Sequence, residues 1–225
     1  MSIVIAVDGT AASGKGTLAK KLAQHFGFAH LDSGSLYRLV ALGVADAGGD
    51  PNREEDAVQA ARGLTAGTIE AARNDGARLR SAEIGDAASI VSAFPQVREL
   101  LLQFQRDFAA RPPDGATGAV IDGRDIGTVI CPNATAKLFI DAEPKVRARR
   151  RFLELKERGK PADEAAILEQ LIERDRRDRE RAVSPLRSAA DAPLLDTSNL
   201  DIDAAFAAAL ALVQPKIEEA LKALP

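Results

Sequence analysis

The most constraining feature lies near the start of the chain. An apolar run at 3–8 leads directly into Gly9-Thr-Ala-Ala-Ser-Gly14-Lys15-Gly16-Thr17, and a helical pattern opens at Gly16. Strand, glycine-bearing loop and helix in that order predict a phosphate cradle. The glycines let backbone wrap close to an anion, and the N–H groups of Thr10, Ala11, Ala12, Ser13 and Gly14 can point inward. The helix N-terminus adds partial positive charge. Lys15 can then reach the outer phosphates, and Thr17 can offer its hydroxyl to Mg²⁺. A plain glycine turn is the structural alternative, but spacing, Lys, Thr and context are all satisfied together. No Asn-Lys-x-Asp occurs, so the base readout of a GTPase lacks support. No Gly-x-Gly-x-x-Gly follows the first strand, so a dinucleotide site lacks it too.

Five short apolar runs read as strands, at 3–8, 29–32, 119–122, 137–141 and 193–196, and each ends in Asp. Four are continuous rather than alternating, as in strands covered on both faces. Helical patterns at 16–25, 35–47, 95–109, 144–157 and 204–224 alternate with them. The expected fold is α/β, a three-layer phosphate-loop type with a five-stranded parallel sheet. Its 225 residues suit one domain carrying an insertion. About eighty residues separate the second and third strands, more than one crossover helix needs. Within them, runs at 65–71 and 78–84 flank Asn74-Asp75-Gly76, a hairpin signal. A small β-containing subdomain is therefore expected at 48–94. Arg158-Gly159-Lys160-Pro161 splits two charged helices, so 148–181 is expected to be a helical lid. The core is then 1–47, 95–147 and 182–225.

Composition excludes more than it selects. Thirty basic residues face 33 acidic ones, for a net charge of −3. That argues against a disordered polyelectrolyte and a nucleic-acid coat. One cysteine, Cys131, and two histidines make no internal disulfide and no zinc cluster. The N-terminus does not read as a signal peptide, and no apolar stretch is long enough to span a bilayer. A cytoplasmic chain with no membrane or nucleic-acid partner is expected, and nothing demands more than a monomer. Positive charge gathers at 145–181, where 13 Lys and Arg face 9 Asp and Glu. Arg147, Arg150 and Arg151 recur near one helical face; Arg174, Asp178 and Arg181 share another. A closing lid that carries arginines neutralises a transferring phosphoryl group. Nucleic-acid binding is the rival reading, but only Phe152 brings an aromatic ring to this segment.

Two further segments sit at strand ends. Asp32-Ser33-Gly34-Ser35-Leu36-Tyr37-Arg38 follows the second strand, where Ser33 or Ser35 can cap a helix and Arg38 lies one turn in. Asp122-Gly123-Arg124-Asp125 closes the third. Its Arg124 and Asp125 either reach a ligand over the carboxyl edge of the sheet or pair with each other. A carboxylate beside a base accepts from cytosine N4 and repels the carbonyl oxygen of uracil.

Taken in order, these motifs resemble the bacterial cytidylate kinases over nearly the whole chain. The resemblance rests on 9–17, with its Gly-Lys-Gly-Thr ending, on Leu-Asp-Ser-Gly-Ser-Leu-Tyr-Arg at 31–38, and on Ala-Ala-Ser at 87–89. Phe-Pro-Gln-Val-Arg at 94–98, Asp-Gly-Arg-Asp-Ile-Gly-Thr at 122–128 and Arg-Asp-Arg-Arg-Asp-Arg-Glu-Arg-Ala-Val-Ser-Pro-Leu at 174–186 extend it. It implies phosphoryl transfer from ATP, with Mg²⁺, to CMP and dCMP. It assigns the ATP phosphates to Gly9–Thr17. The cytosine side falls to Ser33, Ser89, Arg98 and Asp125, and the acceptor phosphate to Arg38 and Arg124. Sugar and phosphate contacts fall to Arg174, Asp178 and Arg181, and Arg150 and Arg151 become lid arginines. Lys15, Arg124, Arg150 and Arg151 are the expected catalytic groups. Thr10 stands where such sequences often have Pro, with little effect expected. A kinase for UMP or AMP, an ATP-binding module whose lid holds nucleic acid, and a catalytically idle relative are the alternatives.

Overall fold

The computed structural model describes residues 2–65 and 76–223. Five strands, β1 (Ile3–Gly9), β2 (Ala29–Asp32), β3 (Gly118–Gly123), β4 (Ala136–Asp141) and β5 (Leu194–Asp196), pair in parallel in the order β2-β3-β1-β4-β5. Side chains of a strand alternate between faces, and here both faces are dry. Along β1, Ile3, Ile5 and Val7 enter one core while Val4 and Ala6 enter the other. That is why the run carries no polar alternation.

Helix α1 (Lys15–Phe26) and the closing helix (Ile202–Lys222) cover the first face, through Leu18, Leu22, Ala209, Val213 and Ile217. Behind the second face lie α2 (Ser33–Asp46), α3 (Glu54–Arg62), the single turn α4 (Gly76–Leu79), α5 (Ala82–Val91) and α6 (Pro95–Ala110). Leu36, Val40, Ala57, Val91, Val97 and Leu101 from four of these helices make a core of their own. Then come α7 (Pro144–Glu157) and α8 (Glu164–Glu180), the two charged helices, joined across Arg158-Gly159-Lys160-Pro161; the closing helix is α9. Among the described residues, no helix is long and apolar enough to cross a membrane.

The hairpin reading fails where it can be followed. Its second arm, 78–84, lies in α4 and the first turn of α5. Ser81 caps α5, its Oγ accepting from the Ile84 N–H at 3.2 Å. Gly85, Ala88, Ser89 and Val91 are its buried residues, a spacing of three and four that selects helix over strand. The first arm and Asn74-Asp75 lie outside the described residues, apart from Thr65. Where described, the 48–94 insertion is helical rather than β-containing. It includes α3, which the sequence reading passed over although Glu54, Glu55 and Asp56 fill its first turn.

Candidate active site

The register brings the loops together. Asp8 lies opposite Gly123, and Asp122 opposite Asp32, so the chain leaves β1, β2 and β3 side by side at the carboxyl edge. Two glycines make this approach possible. A Cβ on Gly9 would lie 2.0 Å from the Ile140 carbonyl oxygen, and one on Gly123 2.5 Å from Ser33 Oγ. Beyond Gly9 the backbone passes through left-handed geometry at Ala12 (φ 59°) and Gly14 (φ 87°). Successive N–H groups can then turn toward one centre. Thr10 and Ser13 hold this loop from behind: Thr10 Oγ1 donates to Asp141 Oδ1 at 2.6 Å, and Ser13 Oγ donates to the Thr10 carbonyl at 3.0 Å.

All five strand-ending carboxylates are occupied. Asp8 accepts from the Ile126 and Gly127 N–H groups, each at 2.8 Å, and so anchors the turn that follows Arg124 and Asp125. Burial nevertheless pushes its pKa up to about 7. Asp32, rather than a serine side chain, caps α2, accepting from the Ser35 N–H. Asp122 Oδ1 lies 2.8 Å from His30 Nε2. Asp141 holds Thr10, and Asp196 accepts from the N–H and hydroxyl of Ser198.

Two clefts share the wall formed by Lys15 and Gly16. The larger, about 840 Å³, is bounded by 12–18, Arg150, Arg151 and the start of α9. The smaller, about 230 Å³, is lined with charged side chains from α2, α6, α8 and the end of β3. In it Arg98 and Asp125 form a buried ion pair, and Arg181 lies 3.6 Å from the other oxygen of Asp125. Arg124 Nε donates to Asp178 Oδ2 at 2.8 Å. Arg124 and Asp125 thus pair with α8 and α6 and not with each other. Arg98 also donates to the Ser92 carbonyl and packs 5.5 Å from the centre of the Tyr37 ring.

Cations outnumber the anions that face them here. Burial, then Arg124, lowers the pKa of Lys15 to about 7. The same two causes bring Arg174 down to about 10. Asp178 is held below the usual carboxylate range by Arg124 and Arg174, against burial. Several donors are left over. Arg98 Nε, Arg174 Nε, Arg181 Nη2 and Ser89 Oγ are buried without a hydrogen-bond partner among the described residues. Unpaired buried donors are costly, so a cleft with these groups in or beside it can accept an anion that also carries hydrogen-bonding groups.

The cytidylate kinase family model matches residues 5–215. The chain belongs to the cytidylate kinase family. It is 55% identical over 212 residues to the cytidylate kinase of Rhodopseudomonas palustris (strain HaA2), covering 94% of this chain and 96% of that one. It is 56% identical, with the same coverage, to the cytidylate kinase of Nitrobacter winogradskyi. Among solved structures, an uncharacterized protein from Eubacterium ventriosum shares the fold, with a TM-score of 0.53 at 16% identity, over 94% of this chain and 98% of that one.

Most of the expected residues converge in this chain. Ser33, Arg38, Arg98, Arg124, Asp125, Arg174, Asp178 and Arg181 line the smaller cleft with Lys15, while Ser13 to Thr17 line the larger. Ser89 lies beside the smaller cleft on α5, next to Ala88, which lines it. Arg38 also donates to the Leu79 carbonyl, tying α2 to the insertion. The lid arginines divide. Both border the larger cleft, but Arg151 pairs with Glu154, whereas Arg150 donates to Thr197 and to the Leu200 carbonyl, bracing the loop after β5. Arg147, grouped with them by helical spacing, lines neither cleft and is fully buried. Asp8, His30 and Asp175 went unassigned in the sequence. The Asp at each strand end was the available signal for Asp8; nothing marked the other two.

Proposed function

We propose that the chain transfers the γ-phosphoryl group of ATP to CMP, releasing ADP and CDP, and that dCMP, usual for the family, is a second acceptor. The observation that carries this reading is the meeting of two differently built clefts across Lys15 and Gly16. An oxygen of the CMP phosphate attacks the γ-phosphorus, the bond to the β–γ bridging oxygen breaks, and the charge leaves on ADP. The attacking phosphate is already ionised, so no strong general base is needed; alignment and charge neutralisation do the catalysis.

Each residue has a stated task in this reading. The loop from Gly9 to Thr17 holds the ATP phosphates, and Lys15 follows the γ-phosphoryl as it moves. Arg38 and Arg124 clamp the CMP phosphate; Arg174, Asp178 and Arg181 hold its sugar and phosphate. Asp125 accepts from cytosine N4, with Ser33, Ser89 and Arg98 around the ring. The carbonyl oxygen of uracil would meet the same carboxylate and be repelled. The donor side also fits Mg²⁺ carried in with ATP, because the exposed Thr17 hydroxyl opens into that cleft. The ion would supply positive charge to the phosphates. The hairpin at 148–181 serves as a lid and 48–94 as the acceptor-side insertion. Arg150 and Arg151 then lie on the closing wall, where exclusion of water suppresses ATP hydrolysis. The enzyme acts as a cytoplasmic monomer in pyrimidine nucleotide metabolism, without nucleic-acid or membrane partners.

Coupled ADP release with ATP and Mg²⁺ across CMP, dCMP, UMP, AMP, GMP and dTMP tests the reading. Turnover confined to CMP and dCMP is expected. Turnover on another monophosphate in preference to CMP would overturn the assignment of Ser89, Arg98 and Asp125.

A further inference from the structure

Among the described residues the largest fully buried side chain belongs to Arg147, in the first turns of α7, and it lines neither cleft. Its guanidinium reaches three pieces of chain. Nε donates to the Ala142 carbonyl between β4 and α7 at 2.8 Å. Nη1 donates to the Ala11 carbonyl in the phosphate loop at 3.0 Å. Nη2 donates to Asp175 Oδ2 on α8 at 2.6 Å. The elements Arg147 joins also share a small apolar cluster of Ala11, Ala148, Ile167 and Leu171. Asp175 is itself 3% exposed, and its other oxygen has no hydrogen-bond partner among the described residues.

Such a pair is a poor way to gain stability. Desolvating two charges offsets most of their attraction, and well-packed apolar residues of similar volume often do as well or better. Planar, fork-shaped donors instead fix geometry. The geometry fixed here is informative. Ala11 precedes left-handed Ala12, and binding its carbonyl to Arg147 holds that oxygen on the α7 side of the loop. Asp175 lies between Arg174 and Asp178, both of which line the acceptor cleft. One guanidinium therefore joins the loop of the donor cleft to the helix that supplies two walls of the acceptor cleft.

We propose that Arg147 and Asp175 are positioning residues that set the register between the phosphate loop and α8, so that filling the donor cleft organises the acceptor cleft. The proposal rests on the ATP and CMP reading above. Linkage then requires a donor nucleotide to tighten CMP binding, and CMP to tighten donor binding by the same factor.

The test measures CMP affinity by calorimetry with and without a non-hydrolysable ATP analogue, beside steady-state kinetics, for the intact chain and for Asp175→Asn and Arg147→Lys. In the unaltered protein the analogue should tighten CMP binding at least about fivefold, a typical lower bound for coupled sites. In either variant that factor should fall toward one. Turnover should drop about tenfold or more, as misplacement by an ångström can cost up to about a hundredfold. The affinity for the analogue alone should stay within about twofold of the unaltered value, because the loop and Lys15 are retained. A folded variant with a lowered melting temperature but unchanged turnover and an unchanged coupling factor would overturn the proposal and leave a purely structural pair. If neither variant folds, amide exchange of the unaltered protein decides. The analogue alone should slow exchange in α8 around 171–178, and unchanged exchange there would overturn the proposal. Failure of the unaltered chain to phosphorylate CMP would instead sink the functional reading itself, which separates the two failures.

Discussion

The two clefts are built by different means. The loop wall of the donor-side cleft is largely backbone: one contiguous stretch, two left-handed residues and one lysine, whose nearest hydrogen-bond partner is the Thr10 carbonyl at 3.3 Å, with Arg150, Arg151 and the start of α9 facing it. The acceptor cleft is side chains, gathered from elements as far apart in sequence as α2 and α8 and tied together before any ligand arrives. A backbone cradle recognises phosphate and is indifferent to what the phosphate carries. A lattice of paired arginines and carboxylates is fixed in shape, so it can tell one base from another.

Lys15→Ala should break the comparison on the donor side most severely. It removes the only side-chain charge the loop supplies, and turnover should fall about a thousandfold, as losses of a single transition-state donor do. Circular dichroism should show an intact fold. Turnover within about tenfold of the unaltered enzyme would mean that this lysine is not at the transferring phosphoryl group. Arg124→Ala breaks the acceptor side and also leaves Asp178 without its 2.8 Å partner. Its kcat/KM for CMP should drop about a hundredfold, roughly 3 kcal/mol, within the range for truncating a buried charge pair. A similar rise in the KM for ATP would show that Arg124 does not belong to the acceptor half alone.

Ser89→Ala sharpens the contrast with a smaller effect. Its Oγ is buried and has no hydrogen-bond partner among the described residues, so its loss should not lower the melting temperature. The KM for CMP should rise about threefold to tenfold, the value of one hydrogen bond. A drop in melting temperature with an unchanged KM would mark Ser89 as packing only. The smallest expected signal is a proton. Burial and Arg124 disfavour the charge of Lys15 and lower its pKa to about 7. Phosphate binding restores the charge, so the pKa rises and the protein takes up a proton. Calorimetry at pH 8 in buffers of different ionisation enthalpy should detect uptake of a fraction of a proton on nucleotide binding, fading by pH 6, where Lys15 is already charged. Release of protons, or uptake that grows toward pH 6, would contradict this.

The same contrast explains what could be read in advance. The strand, loop and helix around Gly9 to Thr17 are contiguous and locally determined, so the residues alone announced that conformation, and the five strands followed from short apolar runs ending in Asp. Asp125 was another matter: by spacing alone it was as good a partner for Arg124 as for a base. Only resemblance assigned Asp125, because its neighbours Arg98 and Arg181 are brought to it by tertiary packing. Arg147 misled for a related reason. Helical periodicity places it close to the face of Arg150 and Arg151, but not which side of α7 meets the phosphate loop. The second arm of the expected hairpin was overruled by Ser81, whose cap and the buried spacing after it favour helix.

The most direct test of a base-blind donor cleft facing a base-reading acceptor cleft is the ratio of kcat/KM for CMP to that for UMP, measured in the unaltered enzyme and in Asp125→Asn. An amide keeps the shape of the side chain but loses the charge that favours cytosine N4 and repels the uracil oxygen. A ratio of about a hundred or more should fall to within about tenfold of one, with the KM for ATP nearly unchanged. A ratio that survives the substitution would contradict a base-reading acceptor cleft.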